Sequence, residues 1–223
     1  SGPQEEAGPS PEEDRDPLKL LWVSNAPWTH TGYGTQTALF APRARDVGWD
    51  VAIACNYGHA GSMSSWEGIP VYPVGHDPYS NDVIPSHAGD WLAGDWQSEG
   101  PGDGWIFTLF DVYTFKNPRY QRFNVACWTP VDHLPVPPEV SHWFTEHNAI
   151  PVAMSKFGLD QLQRANLDAL YVPHGVDTHA FTPGDKREAR GLLGLPEDAF
   201  VVTMNAANKG KQLIRKSFDL AFI

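Results

Sequence analysis

Cysteine is scarce: Cys55 and Cys127 are the only two in 223 residues. Both sit in apolar, strand-like runs, so they supply neither a disulfide framework nor a cysteine zinc cluster. A reducing cytoplasm suits such a chain. Positive charge is also in short supply, with 16 Lys+Arg against 27 Asp+Glu and a net charge of −11. An acidic body lacks the clustered bases that grip a nucleic-acid backbone. No apolar stretch approaches the roughly 18–20 residues of a membrane span. The acidic N-terminus also lacks the basic-then-apolar order of a signal peptide. Neither a Walker A loop nor a G-x-S-x-G nucleophile elbow occurs. His142 and His147 flank an aromatic segment without a third ligand nearby, so no metal site is expected.

What is present is a globular composition, 41% hydrophobic and 19% charged, in a length that suits one large domain or one and a half smaller ones. Charge is unevenly spread: residues 1–17 hold six acids and one base, residues 18–150 thirteen acids and six bases, residues 151–223 eight acids and nine bases. The first segment, rich in Pro, Glu, Asp, Ser and Gly without periodicity, reads as a disordered acidic tail.

Leu18–Ser24 is then a buried strand by length and flanks. Thr31-Gly32-Tyr33-Gly34-Thr35 opens a helix to about Val47, in which Pro42 is expected to mark a kink or irregular turn. Gly48 closes it. Strands are predicted at 50–55, 69–74, 105–110, 123–128, 150–154 and 169–172. Helical stretches are predicted over 80–97 (or a long connection), from Pro138 to Thr145, and from the cap Ser155 to about Ala165. Short apolar strands alternating with helices indicate βαβ units and a mainly parallel, Rossmann-like α/β sheet over residues 18–173. Residues 174–198 read as a linker with a short helix at 186–193. Ala199–Met204 reads as a strand and Arg215–Phe222 as a helix, the first strand-helix unit of an incomplete second domain over 199–223.

A glycine turn between first strand and first helix is the ordinary place to hold an anion, because the first N–H groups of a helix lack partners and the helix dipole is positive there. Gly32-Tyr33-Gly34 occupies that position, and a tight turn with no ligand fits the same residues. Thr129-Pro130-Val131-Asp132-His133 follows the strand ending at Trp128, outside its carboxyl end, where open α/β sheets bind ligands. There Asp132 beside His133 suits a general base or a sugar-hydroxyl contact, and an Asx-type turn is the alternative. Asp111 holds the equivalent place on its own strand. Trp91 and Trp96 read as packing rather than a stacking platform. Lys209, Lys211, Arg215 and Lys216 form a late basic cluster, by composition alone a solvated surface.

The string Val172-Pro173-His174-Gly175-Val176-Asp177-Thr178-His179-Ala180-Phe181-Thr182-Pro183 resembles the interdomain segment of family-4 glycosyltransferases with the GT-B fold. The likeness continues through Leu193–Val202 and Arg215–Phe222. Upstream, Gly32-Tyr33-Gly34 with Gly48-Trp49-Asp50-Val51, and Val152–Phe157, are similar to the family's opening and "vaxSxf" segments. The resemblance implies two Rossmann-like domains with a nucleotide-sugar donor (UDP- or GDP-sugar) between them and a hydroxyl acceptor held by the first. It places Gly32, Tyr33 and Gly34 at the donor diphosphate together with Arg215 and Lys216. It makes Asp132 and His133 catalytic, lines the acceptor cleft with Asp111 and Trp128, and puts His174, Gly175 and Asp177 at the interdomain hinge. The implied transfer is retaining and requires no metal or cofactor.

Three features depart from the family pattern. Met204-Asn205-Ala206-Ala207-Asn208 stands where the family has an Arg, the opening loop is G-Y-G rather than paired glycines, and the E-x7-E segment is expected past Ile223. Two alternatives accompany the reading: a non-catalytic or degenerate Rossmann-like binding module, and another GT-B activity such as a sugar-phosphate epimerase or phosphorylase.

Overall fold

The computed structural model describes residues 17–92 and 102–206. These divide into two compact units, with the boundary between Asp177 and Thr178. Residues 1–16 of the expected tail, residues 93–101 and the expected helix at 215–222 lie outside the described residues.

The first unit is built on an eight-stranded sheet: β1 (Lys19–Asn25), β2 (Asp50–Tyr57), β3 (Ser64–Trp66), β4 (Ile69–Tyr72), β5 (Trp105–Leu109), β6 (Asn124–Thr129), β7 (Ile150–Ala153) and β8 (Leu170–Tyr171). Its helices are α1 (Gly32–Asp46), α2 (Ile84–Leu92), α3 (Pro138–His147) and α4 (Lys156–Arg164). The strand order is β3-β4-β2-β1-β5-β6-β7-β8. Every pairing is parallel except that of β3 with β4. The α/β architecture expected from the sequence is therefore the observed one. The β3–β4 hairpin was not legible as such; its turn, Glu67-Gly68, takes positive φ at both residues (49° and 81°), the backbone of a tight two-residue hairpin.

Successive strand residues face opposite sides, and two apolar layers result. Leu21, Val23, Ala52, Ala54, Ile106 and Cys127 pack with Ile84 and Ala88 of α2, Trp143 and Phe144 of α3 and Leu162 of α4. Leu20, Trp22, Ile53, Cys55, Val71 and Trp128 pack on the other face with Ala41, Phe40 and Ala44 of α1. Burial pushes the thiols of Cys55 and Cys127 up to about 12, which makes both poor nucleophiles at neutral pH.

The chain winds outward from β1 through β2 to β4, then returns to the other side of β1 at β5. That reversal opens a crevice outside the carboxyl ends of β1 and β5, where doubly wound sheets take ligands. Three connections meet there: the β1–α1 loop, residues 110–117 after β5, and residues 130–137 after β6.

Helix α1 runs unbroken through Pro42, where a kink or irregular turn was expected. It ends in a left-handed cap: Gly48 has φ +99°, its N–H donates to the Arg45 carbonyl at 2.9 Å and the Trp49 N–H to that of Ala44 at 3.1 Å. These are the two reverse bonds of a Schellman motif.

The second unit contains α5 (Lys186–Leu192), capped by Asp185, whose carboxylate accepts from the Arg187 and Glu188 N–H groups at 2.8 Å each. Arg190 donates to the carbonyls of Pro196, Glu197 and Ala199. The strand expected at Ala199–Met204 is not formed: these residues have no regular structure, and Phe200 and Val202 are exposed. A strand exists only as a partner of another, and no strand among the described residues pairs with this segment. Replacing Gly48 with Ala is expected to cost about 1–2 kcal/mol by chemical denaturation, because an L side chain is strained at that φ.

Candidate functional site at the sheet crevice

At the end of β1, the Asn25 Nδ2 donates to Thr31 Oγ1 at 2.8 Å. Thr31 caps α1 by accepting from the Gly34 N–H at 3.0 Å. The Thr29 hydroxyl donates to the Ala26 carbonyl at 2.7 Å, so the Thr31 proton is left for Thr29 Oγ1 at 3.3 Å. Thr31 thus has only acceptor capacity toward Asn25, which must present its amide N–H₂ and turn Oδ1 away. Asn25 Oδ1 is buried without a protein partner, as are both amide atoms of Asn56, the residue bulged between Cys55 and Tyr57 opposite Ser24 and Asn25. Buried polar atoms are nearly always paired, and three unpaired ones at neighbouring strand ends are unusual. Gly32 has open space where a Cβ would stand, and as the first residues of the helix it and Tyr33 lack intrahelical acceptors for their N–H groups.

The second wall is Asp111 and what surrounds it. Burial raises its carboxyl above the ordinary range, the charge of Asp132 raises it further, and a hydrogen bond from the Tyr113 hydroxyl partly offsets this. Tyr33 is pushed well above the ordinary tyrosine range, first by burial and then by the negative field of Asp111, Tyr113 and Asp132. Tyr113 is raised by burial and by Asp111, Tyr79 and Asp132. Aromatic rings join the groups: Tyr33 lies 4.9 Å and Tyr79 5.7 Å from Phe110. The β1, β5 and β6 loops therefore converge on a half-buried, acidic, tyrosine-rich cluster.

A buried asparagine holds this wall. Asn81 Nδ2 donates to Asp77 Oδ1 at 3.0 Å and to the Thr114 carbonyl at 2.8 Å, and its Oδ1 accepts from the Lys116 N–H at 2.8 Å. Asn117 Nδ2 donates to the Asn81 carbonyl at 2.7 Å. The loop bearing Tyr79 is tied in this way to the loop bearing Asp111 and Tyr113. Neither Tyr79 nor Asn81 was singled out by sequence, because a polar residue in a loop carries no periodic signal.

The residues expected from sequence fare differently. Gly34 is explained by packing: a Cβ there would stand 2.2 Å from Thr29 Oγ1 and 2.6 Å from its carbonyl. Asp111 and Asp132 act on the same tyrosines. Asp132 and His133 pair at 2.5 Å with both side chains largely in solvent. Trp128, expected in the acceptor cleft, is instead 1% exposed. Its indole N–H donates to the Val172 carbonyl at 2.6 Å and its ring packs on Phe40 at 5.0 Å and His174 at 4.7 Å, so it has no surface for an acceptor. His174, Gly175 and Asp177, expected at a hinge beyond residue 173, belong to the first unit. Arg215, Lys216 and Trp96 lie outside the described residues. His147 bonds the Trp143 carbonyl and stacks on its ring, and Trp91 packs against the core. A shallow cavity of about 340 Å³ beside α3 and α4, lined by Leu134, Pro135, Ser141, Gln161 and Arg164 among others, includes none of the candidate residues.

Two outcomes follow from this geometry. Asn81→Ala is expected to cost about 1–3 kcal/mol, since the buried Thr114 carbonyl and two partly buried groups, Asp77 Oδ1 and the Lys116 N–H, lose their partner, read as a lowered denaturation midpoint. For Asp111 the folded carboxyl titrates above its unfolded value, so the native state binds its proton more tightly and stability falls as pH rises through that window. Asp111→Asn is therefore expected to raise the melting temperature at pH 7, with the gain vanishing below the carboxylate range.

No protein-family model matches this sequence. A stretch of 45 residues, 20% of the chain, is 56% identical to a D-inositol 3-phosphate glycosyltransferase of Stackebrandtia nassauensis, and the match covers 10% of that protein's length. Among the described residues no helix is long and apolar enough to cross a membrane.

Proposed function

We propose that this chain is the acceptor-side part of a glycosyltransferase that moves a sugar from a nucleotide-sugar donor to a hydroxyl. The observation that carries the reading is the 45-residue similarity to a glycosyltransferase. The crevice at the reversal of strand order supports it, being where such a fold binds ligands. In this reading the open N-terminus of α1 at Gly32 and Tyr33 meets the donor diphosphate, and Arg215 and Lys216 neutralise the leaving phosphate. Asp132 and His133 take the proton of the acceptor hydroxyl, and Asp111 positions it. The acidic cluster favours a neutral polyol over a phosphorylated acceptor, since a phosphate beside Asp111 and Asp132 would meet like charge. Transfer is retaining and metal-independent, of the family-4 hexosyl type, and takes place in the cytoplasm.

Calorimetric titration of the full-length protein with UDP- and GDP-sugars tests the reading, and no binding by any nucleotide sugar overturns it. Lys216→Ala is expected to weaken donor affinity far more than turnover of bound donor. Asp132→Asn is expected to slow transfer by about 10²–10⁴-fold, the usual worth of a general base, with donor affinity unchanged. Donor binding with no transfer to any hydroxyl acceptor would favour a binding module instead.

A further inference from the structure

The segment that leaves the first unit is held at one point with unusual completeness. Gln36, on α1 and 9% exposed, uses both atoms of its amide on one backbone residue. Its Nε2 donates to the Gly175 carbonyl at 3.0 Å, and its Oε1 accepts from the Gly175 N–H at 3.0 Å. The pair of bonds copies a strand pairing, with a side chain in place of the second strand. Gly175 lies close against the helix: a Cβ there would stand 3.1 Å from Phe40 Cε2 and 3.3 Å from Cζ. The residues before it are held as well. The Val172 N–H donates to the Ala153 carbonyl at 3.0 Å, and its carbonyl takes the Trp128 indole N–H. His174 lies over Trp128, with Nε2 3.1 Å from Met154 Sδ. Val176, the next residue, is 62% exposed, and the unit boundary follows Asp177.

We propose that Gln36 anchors the exit of the first unit, so that the chain is fixed through Gly175 and any turning toward residues 178–223 begins after it, not at His174–Gly175. The motif that suggests a hinge is then, in its first half, a fixed post. Gln36 lies one turn beyond Tyr33, so the post and the rim of the crevice are carried by one rigid helix. The inference does not depend on the glycosyl-transfer reading.

Hydrogen exchange on the full-length protein tests it. The Gly175 amide is expected to be protected in the wild type. Gln36→Leu, which keeps the apolar stem and removes both bonds, is expected to speed its exchange about tenfold or more, the worth of one to two buried hydrogen bonds. β1 and β2 should keep their protection. Gln36→Glu is expected to fall between, because its carboxylate still accepts the Gly175 N–H but faces the carbonyl as a like dipole. Limited proteolysis should find new cleavage at residues 174–176 in Gln36→Leu. Exchange at Gly175 within twofold of wild type in that variant overturns the proposal. Loss of protection spread evenly over β1, β2 and Gly175 also overturns it, since Gln36 would then be a core residue and not an anchor.

Discussion

The seating of α1 on the sheet is the constraint from which the crevice follows. Burying Trp22 against the helix requires its indole N–H to be answered, and Thr37 does so at 3.1 Å while donating its own proton to the Tyr33 carbonyl at 2.9 Å. Trp22 is stacked on Phe107 at 5.0 Å, and Phe40 meets Trp128 edge to face. A helix fixed through two polar atoms and a cluster of large rings has little freedom to rotate or slide, because interiors are close-packed and each ring is in contact on several sides. Its N-terminus, and with it Tyr33, is therefore held at the end of β1. The anchor of Gly175 is the same constraint met from the far side, one turn along the helix.

The crevice gathers groups that oppose one another electrostatically. Asp111 is half-buried next to a second carboxylate, with tyrosines and no opposite charge among the groups that shift it. Burial and the neighbouring carboxylate cost stability at neutral pH and raise the proton affinity of Asp111, while the Tyr113 hydroxyl partly offsets them. The network around Asn81 supplies the rigidity that keeps the arrangement from relaxing. A destabilised carboxyl on one loop and the hydrogen-bonded Asn81 network beside it fit a division of labour between function and stability.

The parallel sheet was legible because burial on both faces makes each strand a nearly continuous apolar run, as in Val51-Ala52-Ile53-Ala54-Cys55, and because caps such as Ser155 and Gly48 have a local chemical signature. The position of Asp111 and Asp132 was legible for a related reason: a carboxylate directly after an apolar strand falls at the strand's carboxyl end. Tertiary choices were hidden. Trp128 ends its strand as a candidate ligand platform would, yet the alternation of faces turns it under α1. Gly34 looks like a ligand-facing glycine and is required by Thr29. Gln36 and Asn81 act through partners 139 and 35 residues away, and no local pattern carries such a pairing. Ala199–Met204 has strand composition, but a strand depends on a neighbour its own residues do not provide.

The two ends of the sheet have a bearing on how this protein meets others. One border is β3, three residues long, and the other is β8, only two. An incoming chain that tried to extend the sheet would find a ledge too brief for more than one or two ladder bonds, too few to repay the ordering of its backbone. The interior strands are up to eight residues long, so the sheet tapers at both sides, as a raft does when its outer logs are cut short. Among the described residues the first unit therefore offers little edge for recognition by strand addition, and the loops at the carboxyl ends present side chains instead.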